Sequence, residues 1–138
     1  MRAQLSLELS ILILAFLVII LLTSGYIGIY GLNKVSKISV MGMSNAALSK
    51  IKNGVELVSS ADVNTTISIK VRCPPGYIES KGKELLYFRN DTLKYTISTN
   101  CSVNVELSEN PYVVNEPRIL NFVITKINDT TVKIDITS

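Results

Sequence analysis

The chain has 138 residues, 47% of them hydrophobic and 18% charged, with a formal net charge of +3 and neither His nor Trp. A surplus that small gives no case for nucleic acid as a partner. Without His, no nucleophile–base pair can be built around an imidazole.

Met1-Arg2-Ala3-Gln4-Leu5-Ser6-Leu7-Glu8 opens the chain, and after Glu8 no charge returns until Lys34. The residues between are dominated by Leu, Ile, Val and Phe. As a helix, Leu9 to Leu32 would run about 36 Å at ~1.5 Å per residue, enough to cross a ~30 Å hydrocarbon core. A secretory signal peptide has a shorter apolar stretch, roughly 7–15 residues, and a small-residue cleavage site; Thr23-Ser24-Gly25 serves poorly as one. A plain signal anchor fits the length but leaves Glu8 unexplained. A carboxylate costs ~3 kcal/mol at the centre of a membrane helix and less toward the interface, which marks Glu8 as a functional candidate. Gly25, Gly28 and Gly31 recur every third residue and suit close helix packing or a hinge. Tyr26 and Tyr30 stand where an interfacial aromatic belt would lie.

Gln4-Leu5-Ser6-Leu7-Glu8, preceded by Arg2-Ala3 and followed by that apolar run, resembles the class III signal peptide of archaeal type IV pilin-like proteins. Its pattern is a short basic leader ending in a small residue, then Gln-x-Ser-x-Glu. The resemblance implies cleavage between Ala3 and Gln4 by a membrane-embedded prepilin peptidase, with the apolar helix kept on the mature protein. It makes Gln4, Ser6 and Glu8 the processing and assembly motif. Cleavage would leave an amine on Gln4; Glu8 would neutralise that of an adjoining subunit, the alternatives being a contact with its own N-terminus four residues away or a carboxylate reaching lipid headgroups.

Residues 4–62 contain no Pro and read as one long helix, apolar over 4–32 and amphipathic over 33–62. Val35, Ile38, Met41, Leu48, Ile51, Val55 and Val58 fall mostly on three- and four-residue steps, the signature of one buried stripe. Gly42 and Gly54 weaken this part by roughly 1 kcal/mol each relative to Ala, which allows bending. After Asp62 the period becomes two. Ile67–Arg72 and Val132–Ile136 alternate strictly, and Val103–Leu107 forms another short alternating run. Leu85–Phe88 and Leu93–Ile97 flank a hairpin turn at Arg89-Asn90-Asp91-Thr92, and Asn128-Asp129 joins Phe122–Ile127 to Thr131–Thr137. Residues 63–138 are therefore expected to form a small antiparallel sheet of five or six strands.

Cys73 and Cys101 flank strand ends. In an extracellular domain such a pair suggests one disulfide, the alternative being two buried thiols. Asn-x-Ser/Thr sequons occur at Asn64, Asn90, Asn100 and Asn128, all beyond the helix and mostly near turns. Lysines after the apolar run, set against Arg2 and the amine, mildly favour an internal C-terminus. The cysteines and sequons favour an external one, and the leader resemblance requires a cytoplasmic cleavage site.

The fold class expected is α+β, a pilin-like lollipop. Residues 1–3 are leader, the long helix protrudes over its apolar first half, and its second half packs on the antiparallel domain. A domain of some 75 residues has a radius of gyration near ~11 Å, far too small to cover a helix of about 87 Å. The function expected is that of a structural pilin subunit polymerising through the N-terminal helix into an extracellular pilus used for adhesion. The precursor would sit in the cell membrane and the product on the cell surface. Partners are identical subunits, the prepilin peptidase and the membrane before assembly. No cofactor, metal, nucleic acid or small-molecule substrate is implied, and no catalytic residues. A monomeric membrane-anchored binding domain and a minor pilin remain open as alternatives.

Overall fold

A computed structural model describes residues 2–81 and 85–137, with side chains described over 8–81 and 86–137. Helix α1 runs from Arg2 to Ser59, with no Pro to interrupt it. It stops three residues short of the expected 62. The Ser59 and Ser60 hydroxyls donate back to the carbonyls of Glu56 (2.7 Å) and Leu57 (2.9 Å), the local competition by which Ser disfavours further helix. The chain divides into two compact units, one through Ile38 and one from Ser39 onward. The first is helical throughout its described residues. The second combines the rest of α1 with everything after it.

Eight strands follow: β1 (Thr66–Cys73), β2 (Gly76–Lys81), β3 (Leu85–Asn90), β4 (Tyr95–Asn100), β5 (Asn104–Leu107), β6 (Tyr112–Val114), β7 (Arg118–Asn128) and β8 (Thr131–Thr137). They form two four-stranded sheets, β1-β7-β8-β5 and β4-β3-β2-β6. The pairings are antiparallel except that of β5 with β8, which is parallel. The long helix and the antiparallel-rich domain are those expected; the number of strands and the division into two sheets are not. Both expected hairpins form, at Asn90↔Tyr95 and Asn128↔Thr131. In the first, Asn90 Oδ1 accepts a 2.8 Å bond from the Leu93 amide and Lys94 takes a positive φ of 51°. This Asx-type closure uses the residue best suited to it.

The core lies in the second unit. Leu48, Ile51, Val55 and Val58 of α1 are buried together with Val71, Ile78, Leu86, Phe88, Phe122, Ile124 and Ile134 of the strands. The expected stripe is shorter than its sequence pattern. Val35 and Ile38 are 64% and 63% exposed, and packing on the core begins at Val40 and Met41. Gly54 also departs from expectation. A Cβ there would sit 2.8 Å from Ile124 Cδ1 and 3.1 Å from Ile69 Cδ1, so this glycine lets β7 and β1 approach the helix rather than bending it. About three turns before Gly54, buried Ser44 donates to or accepts from the Tyr95 hydroxyl at 2.7 Å, tying α1 to β4.

Two polar contacts hold the end of the helix. Lys126 occupies an inward position of β7 at 7% exposure, and its Nζ donates to the carbonyls of Ser59 (2.9 Å) and Ala61 (2.7 Å). A cation is thus placed on carbonyls that the helix leaves unpaired. Replacing Lys126 with Met keeps length and apolar stem but leaves those carbonyls without their donor. It is expected to lower stability by about 1–3 kcal/mol, read as a reduced denaturation midpoint in urea.

Glu56 accepts from the Ser102 amide at 2.8 Å and from the Ser102 hydroxyl. The hydroxyl bond above all holds the carboxyl below its ordinary value of 4.5, against the opposing effect of burial. A depressed folded-state pKa contributes stability that is present above the unfolded value and lost as pH falls through the folded one. Between neutral pH and the acid limb, Glu56→Gln should therefore lose stability with a shallower pH dependence than the parent chain. Parallel slopes of unfolding free energy below pH 4.5 would count against this contact.

Candidate functional site

A functional region is best sought where the chain keeps apolar surface out of its own core. Every residue from Glu8 to Tyr30 is exposed, including Leu9, Ile11, Leu14, Phe16, Leu21 and Ile27. The region is long and apolar enough to cross a membrane by length and composition. An exposed apolar surface this large is the kind that lipid or other protein covers. Within it Thr23 satisfies its hydroxyl internally, donating to the carbonyls of Ile19 (2.9 Å) or Ile20 (3.1 Å). A polar side chain is thereby accommodated in an apolar segment.

A Cβ at Gly25, Gly28 or Gly31 would meet no atom within 4 Å. These glycines therefore leave room on the helix surface. Tyr26 and Tyr30 between them are exposed as well. Glu8 is exposed at the start of the described side chains. The side chains of Ala3, Gln4 and Ser6, the cleavage and motif residues expected beside it, lie outside the described residues.

The remaining sequence-derived candidates lie in the second unit, and the structure treats them unevenly. Cys73 and Cys101 are free thiols, both buried, where a disulfide was expected. They belong to the same apolar core cluster. Burial pushes the Cys73 thiol up to about 12, and raises that of Cys101 with help from the nearby Glu56 carboxylate. As free thiols both pack as small apolar core groups. Asn90, the second sequon asparagine, is engaged within the fold. It is 6% exposed, and its Nδ2 donates 2.7 Å to the Pro75 carbonyl while its Oδ1 closes the β3–β4 turn. Asn64, Asn100 and Asn128 are exposed. Asn128 stands in the β7–β8 turn, its Oδ1 accepting from the Thr130 amide (3.0 Å) and hydroxyl (3.1 Å).

No group of three or more His, Cys, Asp or Glu that could hold a metal occurs among the described residues. Arg89 pairs with Glu79 (3.1 Å) and Asp91 (3.0 Å) and lies 4.9 Å over the Tyr77 ring. Pairing across adjacent strands places these groups together, β2 supplying Glu79 and Tyr77 and β3 supplying Arg89. Nothing in the strand pattern alone distinguished this cluster from ordinary solvated residues.

Comparison with known proteins gives two informative likenesses. The chain is 40% identical over 129 residues to the probable pilin MJ0832.1 of Methanocaldococcus jannaschii, covering 94% of this chain and 90% of that one. It is 31% identical over 135 residues to the minor structural pilin EpdB of Methanococcus maripaludis, covering 98% of each. No family model and no solved structure matches. Both alignments take in the long helix as well as the β domain. The chain belongs to the archaeal type IV pilin-like proteins.

Proposed function

We propose that this pilin subunit is cleaved between Ala3 and Gln4 by a prepilin peptidase, held in the membrane by its apolar helix, and then polymerised through that helix into an extracellular pilus used for adhesion. The observation that carries the reading is the continuous exposed apolar surface of α1 on a chain whose core is complete without it. In the membrane, lipid covers that surface; in a filament, the same helix of neighbouring subunits does. The exchange keeps the apolar area out of water at both stages. Gly25, Gly28 and Gly31 would then admit close helix approach, since small residues allow backbones to come together where lipid gives no hydrophobic drive between helices. Glycans on Asn64, Asn100 or Asn128 would project from exposed positions of the β unit.

Within this reading a minor-subunit role has one specific support, the printed description of the Methanococcus maripaludis relative as a minor structural pilin. The two roles differ in stoichiometry. Quantifying this chain against the most abundant subunit of purified filaments separates them.

Processing is tested directly. N-terminal sequencing of the mature protein should find Gln4 first, with Glu8 and the whole apolar run retained. An intact Met1 terminus, or a chain beginning after Gly25, would reject this pathway and leave a membrane-tethered monomer.

A further inference from the structure

The two edges of the first sheet carry opposite charge. β1 and β5 are its outer strands. On β1, Lys70 and Arg72 occupy exposed, outward positions. Lys50 of α1 reaches the same edge, its Nζ donating 2.9 Å to the Lys70 carbonyl. None of these three cations enters an ion pair among the described residues. The β5 edge has the opposite character. Glu106 and Glu109 are exposed, Asp135 of neighbouring β8 is paired to Lys133 at 3.1 Å, and Glu56 is fixed beside the start of β5 by Ser102. Lys52 lies near enough to Glu56 to stabilise its charge. Four carboxylates there stand against two ammonium groups.

We infer that the first sheet carries a head-to-tail interface, the β1 edge of one copy of this chain docking against the β5 edge of the next. The inference rests on the reading that the chain polymerises, and adds which surfaces of the β units meet. Charge complementarity selects the occupant. Across three interstrand spacings of ~4.8 Å, the edges lie about 14 Å apart on opposite sides of one sheet. A two-fold dimer through either edge would set like charges together. A β1-to-β5 contact sets cations against carboxylates, and a heterologous contact of this kind generates an open helical array when its rotation does not close.

The contact is made by side chains. Lys50 already occupies the Lys70 carbonyl, which blunts strand addition at that point, a common protection of sheet edges. Ile119, opposite Arg72 in the β1–β7 register and 63% exposed, supplies apolar surface next to the basic edge.

The test uses the full chain, produced in cells lacking their own copy. Lys70→Glu combined with Arg72→Glu should reduce filament yield by at least about tenfold, because like charges now meet, while membrane-inserted precursor stays at the parent level. Glu106→Lys with Glu109→Lys should do the same. All four substitutions in one chain restore complementarity with the signs exchanged, and should return filaments. A chain carrying both Lys70→Cys and Glu106→Cys, treated as filaments with a short bis-maleimide, should give a ladder beyond dimers; either cysteine alone should not. Parent-level yield in both charge-reversed pairs, or dimers from Lys70→Cys alone, would overturn the interface while leaving polymerisation intact. A parent chain that makes no filaments at all would overturn the polymerisation reading and this interface with it.

Discussion

Changing Glu8 to Gln is expected to leave the protein cleaved and inserted in the membrane but to remove its filaments. Cleavage before Gln4 creates an α-amine with an ordinary pKa near ~7.8, largely cationic at neutral pH. Gln4 and Glu8 are four residues apart, about 6 Å along the helix axis. A neighbouring subunit displaced by about that distance brings its amine beside this carboxylate. In an apolar filament core, each charge offsets the desolvation of the other, and the pair sets axial register. Glutamine keeps the size and some hydrogen-bonding capacity while leaving the cation unpaired. Removing one partner of a buried pair costs about 3–5 kcal/mol, and the loss recurs at every subunit. Cleavage and filament yield are measured together, since the same residue belongs to the processing motif. Normal filaments built from correctly cleaved Glu8→Gln chains would leave Glu8 a processing signal only.

A second large effect is expected at Gly54. The helix face there meets Ile124 and Ile69 so closely that a bare Cβ would already fall 2.8 Å and 3.1 Å from their terminal methyl carbons. Leucine adds three further carbons into a region where Val55, Val58 and Ile124 are fully buried. Overpacking of this kind typically costs 1–3 kcal/mol, and β7 with β1 sits at the upper end because both strands must retreat together. Gly54→Leu should therefore lose about 3 kcal/mol in the equilibrium unfolding of the detergent-solubilised full chain. Gly54→Ala is the informative contrast. It gains about 1 kcal/mol of helix propensity while requiring only the flexible ends of two isoleucines to shift, so its net effect should be small. A Gly54→Leu chain as stable as the parent would mean that the helix–sheet spacing is set elsewhere.

Much of this protein is written locally. The charge-free run from Leu9 to Leu32 determines a long apolar helix, because length and composition suffice for that inference. The run also explains why its side chains remain outside the core. Turns at Asp91 and Asp129 were legible because Asn, Asp and Thr close their own backbone within a few residues. The inward sides of β1 and β8 follow from strict alternation. The Gln4–Glu8 string pointed to the family before any contact was known.

Contacts between distant segments were decided only by the tertiary structure. Val35 and Ile38 continue the apolar period of Leu48 and Ile51, yet remain exposed, because periodicity marks a face and not how far a partner reaches along it. β2 lies beside Pro74-Pro75, and β6 has only three residues, so neither carries enough alternation to announce itself. β5 was legible as a strand, but its parallel partner is set by pairing with β8, some twenty-five residues later. Gly54 reads as a weak point in a helix until β7 is placed against it. Lys126 similarly breaks an inward apolar row until the end of α1 supplies the carbonyls it binds. Cys73 and Cys101 flank strand ends in the sequence, but the burial of both in one apolar cluster depends on the three-dimensional core around them. In each case the deciding partner lies far along the chain, where local period and propensity carry no information about it.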